Sequence, residues 1–592
     1  MNLFKKKGRM MNHMKLFAAI AAMTCAAGAF ELEPHGCGNR KIILAGWEFG
    51  YLTPEDFLAS AEELDKTPAD GVVVYIQKNP AVGRNFTASE IMNEPLWTDA
   101  HLADLVEPMK QMAKHRSMKH SFIKSFRAPK DRRLDWRDEK AWAVVANNVA
   151  AVARLAKKVG FPGIQMDIED YSKKRQFWRV ETDPPLDELN AHVRARGRQV
   201  GKAIFDAYPE ITIFSYFGLS ELFFGQLERD VVALARTKRD LLPAFLNGLL
   251  DVMPPKARFQ EGTENAYKYD YAKRDFLTGK TRNSNWYLPL VAPENRVKYL
   301  TQVITGFGIY MDMYVNDENA TWYFPPVDGS RLEYLRRNIE QALSGTDEYV
   351  WLWGERGRWI DWKVAKPGNL HGGAKKGRWD EMIPGGLFEA LHILKNPKAN
   401  LLPKIEKAIA EGAVTNIVSN PSCRIKLPGE PGLKDGRVPK PFGKWQPTPK
   451  KGVAKSLIGT DTSSGDGDSC SMFIKGVNGG CLTFDNDNLT PVGTWYYVTA
   501  RVKGDGAWPT LNFRTSKRKW LNPKNLLTIE GTNPGEWRTI RCCVKVPEGA
   551  DGFTLTLGVQ SLGPNEIVHY DNIGVYALPL ELVTGVTLKK GE

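Results

Sequence analysis

Two carboxylates stand two residues apart at the end of one apolar run, Gly163-Ile164-Gln165-Met166-Asp167-Ile168-Glu169-Asp170-Tyr171. Read as a strand, the run puts Gln165, Asp167 and Glu169 on one face and Ile164, Met166 and Ile168 on the other. An apolar face against a face of acids suits proton transfer, in which one carboxyl donates a proton while a second attacks or activates water. Asp170 reads as a helix cap or loop acid. Acids and rings also end the other apolar runs: Trp47 with Glu48, Tyr75 with Gln77, Lys124, Tyr216, Glu261 with Glu264 and Tyr267, Asp312 with Tyr314, and Trp353 with Glu355. Carboxylates beside flat rings meet the needs of glycosidic cleavage, where rings stack on sugar faces and an acid protonates the leaving oxygen. Glu169 is the favoured acid and Asp167 its modulator or the nucleophile. Glu261 or Asp312 is the next candidate for the second carboxylate. Trp47, Tyr75, Gln77, Lys124, Tyr216, Glu264, Tyr314, Trp353 and Glu355 are the expected substrate contacts. The nine His show no metal spacing, so neither a metal nor an organic cofactor is expected at these residues.

The elements that must position these side chains repeat along the chain. Candidate strands are Lys41 to Trp47, Val72 to Gln77, His120 to Phe126, Gly163 to Glu169, Ile211 to Phe217, Ala257 to Glu261, Gly308 to Tyr314 and Tyr349 to Glu355. Helical periodicity follows each, as in Trp142 to Lys158, Leu186 to Ala207 and Arg331 to Leu343. Thr53-Pro54-Glu55-Asp56 is a helix start, with Thr as N-cap and Pro at the first helical position. Eight such units predict an α/β fold, a (β/α)8 TIM barrel whose site lies at the strand C-termini. No Gly-rich phosphate loop follows the first strand, which disfavours a doubly wound sheet.

The segment closing Asp167-Ile168-Glu169 resembles the signature of chitinase-type family 18 glycoside hydrolases, a strand of alternating acids ending Asp-x-Glu. The resemblance implies Glu169 as general acid and Asp167 as the partner that helps a substrate acetamido group act as nucleophile. Pro162 and Gln165 replace the earlier acids of that signature, and the sixth strand lacks its Met-x-Tyr-Asp pattern. Trp353 agrees with a tryptophan of that family. The layout is also similar to barrel glycosidases that set an acid on the fourth strand and its partner on the sixth or seventh. A secreted glycoside hydrolase is therefore expected, with a noncatalytic glycan-binding protein on a degenerate barrel as the alternative.

The N-terminus carries Lys5, Lys6, Lys7, Arg9 and Lys15 before an apolar run ending Ala27-Gly28-Ala29. This pattern predicts a signal peptide over 1–29 and a secreted or periplasmic protein, with a lipoprotein through Cys25 ranked second. No other run is long enough for a membrane helix. Those five basic residues account for part of the formal +13 and leave about +8 on the rest. From Pro421 onward there are 22 basic and 16 acidic residues, a bias that admits an anionic glycan partner but points to no nucleic acid.

After Ala413 the composition turns to Gly, Asn, Thr and Pro with short alternating runs, so the barrel is expected over 30–413 and an all-β sandwich over 414–592. The Leu427 to Lys451 stretch reads as a loop or irregular strand. Thr415-Asn416 to Pro421 and Tyr570-Asp571-Asn572 to Tyr576 resemble the two ends of jelly-roll carbohydrate-binding modules of the galactose-binding-like type. That resemblance makes Trp495, Trp508, Trp520 and Trp537 candidate sugar platforms, with Lys517, Arg518 and Lys519 as an anionic contact. Asp571 is structural or holds a calcium ion. Cys37, Cys423, Cys470, Cys481, Cys542 and Cys543 follow the leader, and sequence cannot choose among their pairings.

Overall fold

A computed structural model describes residues 29–30, 40–87, 91–92, 96–127, 133–169, 175–220, 232, 240–363, 377–449, 451–477, 479–487, 494–521, 525–559 and 562–587. Asp170 and Cys37 lie outside the described residues. The chain forms two compact units. One holds the described residues from Arg40 to Lys395 together with Gly585 to Thr587, and the other holds Ala29 and Phe30 with Asn396 to Thr584. The division falls after Lys395, whereas the composition changes after Ala413, because helices Pro397–Asn400 and Leu402–Ala410 group with the second unit.

The first unit is a parallel barrel. Its strands are β1 (Lys41–Gly46), β2 (Gly71–Val74), β3 (Phe122–Ser125), β4 (Gly163–Met166), β5 (Thr212–Ser215), β6 (Arg258–Glu261), β7 in two halves (Val303–Thr305 and Phe307–Tyr310) and β8 (Tyr349–Gly354). Each pairs in parallel with its neighbours in chain order, and β8 returns to β1 with Trp353 opposite Ala45. The break in β7 is at Gly306, where a Cβ would collide with the Gln260 amide. One half pairs with β6 and the other with β8, so a single bent strand carries the ring across.

Helices cover the barrel as the periodicity predicts. Thr53 and Asp56 form a capping box, and Asp138 caps Glu139–Val159. Leu186–Ala207 and Leu242–Val252 cross where Gly197 and Gly248 meet, and a Cβ on either would strike the backbone of the other helix.

Several strands end earlier than the alternation predicts, β2 at Val74 and β5 at Ser215 among them, and two of these early ends bear directly on the expected acids. β4 stops at Met166, because the Asp167 carboxylate accepts the Glu169 N–H at 3.0 Å and turns the backbone. β7 stops at Tyr310, and Met311–Tyr314 is a 3₁₀ turn, so Tyr310, Asp312 and Tyr314 do not share a strand face.

The second unit is an antiparallel sandwich. One sheet runs Arg538–Lys545, Trp495–Lys503, Ile567–Leu578, Ser471–Lys475, Leu457–Asp461, Leu433–Asp435, with Ala29–Phe30 beside the first of these. The other runs Gly443–Trp445, Gly480–Asn486, Gly552–Val559, Ala507–Arg514, Asn525–Leu526. Tyr496, Val498 and Val502 of the first sheet share one core with Leu511, Phe513, Phe553, Leu555 and Leu557 of the second. The Pro/Lys-rich stretch supplies two short edge strands. Among the described residues no helix is long and apolar enough to cross a membrane.

Candidate active site at the barrel mouth

The ends of β3 and β4 bring Lys124 and Asp167 together. Lys124 Nζ donates to Asp167 Oδ2 at 2.7 Å, and both side chains are 7% exposed. The ammonium also lies 5.1 Å from the Tyr75 ring centroid and 5.5 Å from that of Tyr216. Burial opposes its charge, but the charge and hydrogen bond of Asp167 prevail and hold it above the usual lysine range.

The charges of Glu169 and Glu264 both reach two phenols, Tyr216 and Tyr267. Tyr216 is buried at the end of β5, stacked 4.4 Å from Trp351 and edge-on to Trp353 at 5.5 Å. Its hydroxyl has no hydrogen-bond partner. Burial first, then the charges of Tyr75, Asp167, Glu264 and Glu169, hold this phenol well above its ordinary value. Tyr267, on the 3₁₀ turn Glu264–Lys268 after β6, is raised by burial and then by Glu264, Tyr216 and Glu169. Both phenols therefore lie within the fields of both carboxylates, one from the end of β4 and one from beyond β6. Tyr267 stacks on Tyr310 at 5.2 Å, and Trp322 meets both edge-on, with Lys268 Nζ 4.4 Å from the Trp322 ring. Tyr216, Trp351, Tyr267, Tyr310 and Trp322 thus form one connected aromatic wall.

The remaining acids are placed differently. Glu261 is buried, and its carboxylate accepts Gly218 N–H at 2.7 Å and Ser220 Oγ–H at 2.6 Å, so it ties the turn after β5 to β6. Burial raises its pKa, and these hydrogen bonds oppose the rise. Asp312 is also buried. Its Oδ2 accepts the Glu355 N–H at 2.9 Å, and its Oδ1 lies 3.6 Å from Arg356 Nε with no hydrogen bond. Burial pushes this carboxyl up to about 6. Glu355 accepts Trp353 Nε1–H at 3.2 Å and also hydrogen-bonds the Tyr310 hydroxyl.

Of the expected contacts, Gln77 donates to the Gly50 carbonyl at 2.7 Å and Trp47 is 40% exposed just past β1. Tyr314 does not face the acids. It packs on Phe324 and Tyr334 and accepts Asn338 Nδ2–H at 2.7 Å, against the helix Arg331–Gly345. Glu48, absent from the expected site residues, is a buried acid beside β1. Burial pushes it up to about 8, against hydrogen bonds from Trp362 Nε1–H at 2.8 Å and Trp359 N–H at 3.0 Å. Among the described residues no three His, Cys, Asp or Glu side chains gather as a metal site.

In the sandwich, Trp495 is buried and Trp537 packs edge-on to His569, whereas Trp508 is exposed near the start of Ala507–Arg514 and Trp520 is exposed next to the exposed Lys517, Arg518 and Lys519. Trp445, unremarked in the sequence, is exposed as well. Cross-strand register places Trp445, Cys481, Gly558 and Trp508 in one row on the outward face of the second sheet. Further along that face lie Thr483, Thr556 and Thr510, then Asn512, whose Oδ1 is buried without a partner. Asp571 accepts the N–H groups of Asp466 and Asn572, each at 2.8 Å. Burial pushes it up to about 6.

No family model and no curated protein matches the chain. Solved structures overlap parts of it. The enzymatically active domain of bacteriophage CBA120 tailspike protein 4 is 16% identical with a TM-score of 0.21, over 28% of this chain and 21% of that one. The CBM22-1–GH10 modules of a Clostridium thermocellum endo-1,4-beta-D-xylanase are 12% identical with a TM-score of 0.18, over 21% of this chain and 25% of that one. The CBM22-1 xylan-binding domain from Paenibacillus barcinonensis is 8% identical with a TM-score of 0.19, over 24% of this chain and 89% of that one. This chain thus spans about a fifth of the tailspike domain, and overlaps of this size establish neither a family nor an activity.

Proposed function

We propose that the barrel unit is a glycoside hydrolase that cleaves a poly- or oligosaccharide, with Glu169 as proton donor and Glu264 as the opposing carboxylate. The observation that carries this reading is that the Tyr216 and Tyr267 phenols each lie within the fields of both acids, in a wall of rings. In the reaction Glu169 gives its proton to the glycosidic oxygen as the bond to the anomeric carbon breaks. Glu264 attacks that carbon or takes a proton from the incoming water. Asp167, pinned by Lys124, holds the backbone N–H of Glu169 and so fixes where the donor stands.

Lys124, the buried cation at the ends of β3 and β4, is already paired with Asp167, which supports a neutral or amino sugar over a sulfated or uronic one. On the sandwich, the Trp445–Trp508 row with its threonine and asparagine neighbours is suited to hold a neutral glycan segment. The leader at 1–29 would carry the chain out to such polysaccharides.

The test is release of reducing ends from neutral, amino-sugar and sulfated polysaccharides by the full chain and by Glu169→Gln and Glu264→Gln. Each variant should lower kcat at least about a hundredfold with its melting temperature unchanged. Binding without cleavage would move the reading to a noncatalytic glycan-binding protein. That alternative draws on the engagement of Glu261 and Asp312 in holding backbone turns.

A further inference from the structure

We infer that Cys423 and Cys470 are a disulfide pair that staples the segment leading into the sandwich to the start of its strand Ser471–Lys475. Both are buried, and Cys470 Sγ lies 3.3 Å from the Cys423 carbonyl oxygen. The carbonyl oxygen and Cβ of one residue are about 3 Å apart, which puts that sulfur within roughly 6 Å of Cys423 Cβ. The contacts are reciprocal. The Cys470 thiol accepts the Ile425 N–H, the Cys423 thiol accepts the Met472 N–H, and the Cys423 sulfur lies in the field of Cys470. Arg424 and Asp468 pair across the same crossing at 2.9 Å, and the Pro421 carbonyl accepts the Ile573 N–H at 2.8 Å. Cys423 has φ of 52°, a backbone state uncommon for a residue with a side chain.

Cys542 and Cys543 are adjacent on one strand and point to opposite faces. Cys481 stands on the outward face of the other sheet, opposite Gly558. Among the described residues no three His, Cys, Asp or Glu side chains form a group that could hold a metal ion there.

Burial raises both thiols, so once folded they stay protonated and react slowly. The bond would form during folding, by exchange with a disulfide oxidant such as oxidised glutathione. The Cys470 thiolate attacks one sulfur of the oxidant and displaces a glutathione thiolate. The Cys423 thiolate then attacks the mixed disulfide and displaces the second. The two cysteines lose two protons and two electrons, and the oxidant leaves as two thiols.

The full chain, refolded in a buffer of reduced and oxidised glutathione, is alkylated, digested without reductant and mapped by mass spectrometry. The expected result is a peptide linking Cys423 to Cys470, with Cys481, Cys542 and Cys543 alkylated. Reductant should then lower the sandwich melting temperature by on the order of 10 °C, and Cys423→Ser and Cys470→Ser should each abolish that dependence. Alkylation of both Cys423 and Cys470, or a link from either to another cysteine, overturns the inference. If the serine variants do not fold, the peptide map of the unaltered chain decides by itself.

Discussion

Lys124 is the residue on which the geometry of the mouth depends, because it is the buried cation against which Asp167 is set. Lys124→Met should leave an uncompensated buried carboxylate and cost about 3–5 kcal/mol. Adding Asp167→Asn should recover part of that loss, and thermal unfolding of the single and double variants checks both. Glu48 gives a pH signature. Its folded pKa of about 8 stands above the ordinary 4.5, so the native state holds a proton that the unfolded chain releases. The stability it contributes is present in full below about pH 4.5 and is lost as pH rises through about 8. Glu48→Gln keeps an acceptor for Trp362 and Trp359 but cannot ionise. It should therefore raise stability at pH 9 relative to the unaltered chain by on the order of 3–5 kcal/mol, read by denaturant unfolding across pH. Individual residues were only partly legible in the sequence. Asp167 and Glu169 follow β4, but the strand stops at Met166 and so does not set them on the one strand face their spacing predicts, while the Lys124 pairing and the capture of Glu261 by Ser220 join residues far apart in the chain.

At the scale of elements, every barrel strand expected from an apolar run is present, since burial on both faces of a parallel strand leaves a plain hydrophobic signal. Strand ends were less legible. Alternation continued through Glu169 and Tyr314, but a side chain bonding its own backbone ended β4 and a 3₁₀ turn ended β7, which carried Tyr314 away from the acids. Trp445 was missed because its short edge strand lies among prolines and lysines that read as loop. The helix crossing at Gly197 and Gly248 gives this scale its prediction. Gly197→Ala places a methyl against the Phe245 carbonyl and should destabilise the barrel by about 1–3 kcal/mol. An unchanged melting temperature would mean that the two helices do not pack so closely.

For the whole molecule, the proposed division between a cleaving barrel and a glycan-binding sandwich predicts independent losses. Trp445→Ala and Trp508→Ala should abolish retardation of the protein in gels containing neutral polysaccharide while leaving cleavage of short soluble oligosaccharides unchanged. If both variants are retarded as before, the glycan does not bind along that row. The central claim concerns Glu169 and Glu264, and the most direct measurement is kcat for Glu169→Gln and Glu264→Gln on a polysaccharide that the unaltered protein cleaves. The account predicts that each falls at least about a hundredfold while folding and substrate binding persist. A Glu169→Gln protein that cleaves at the original rate would contradict it.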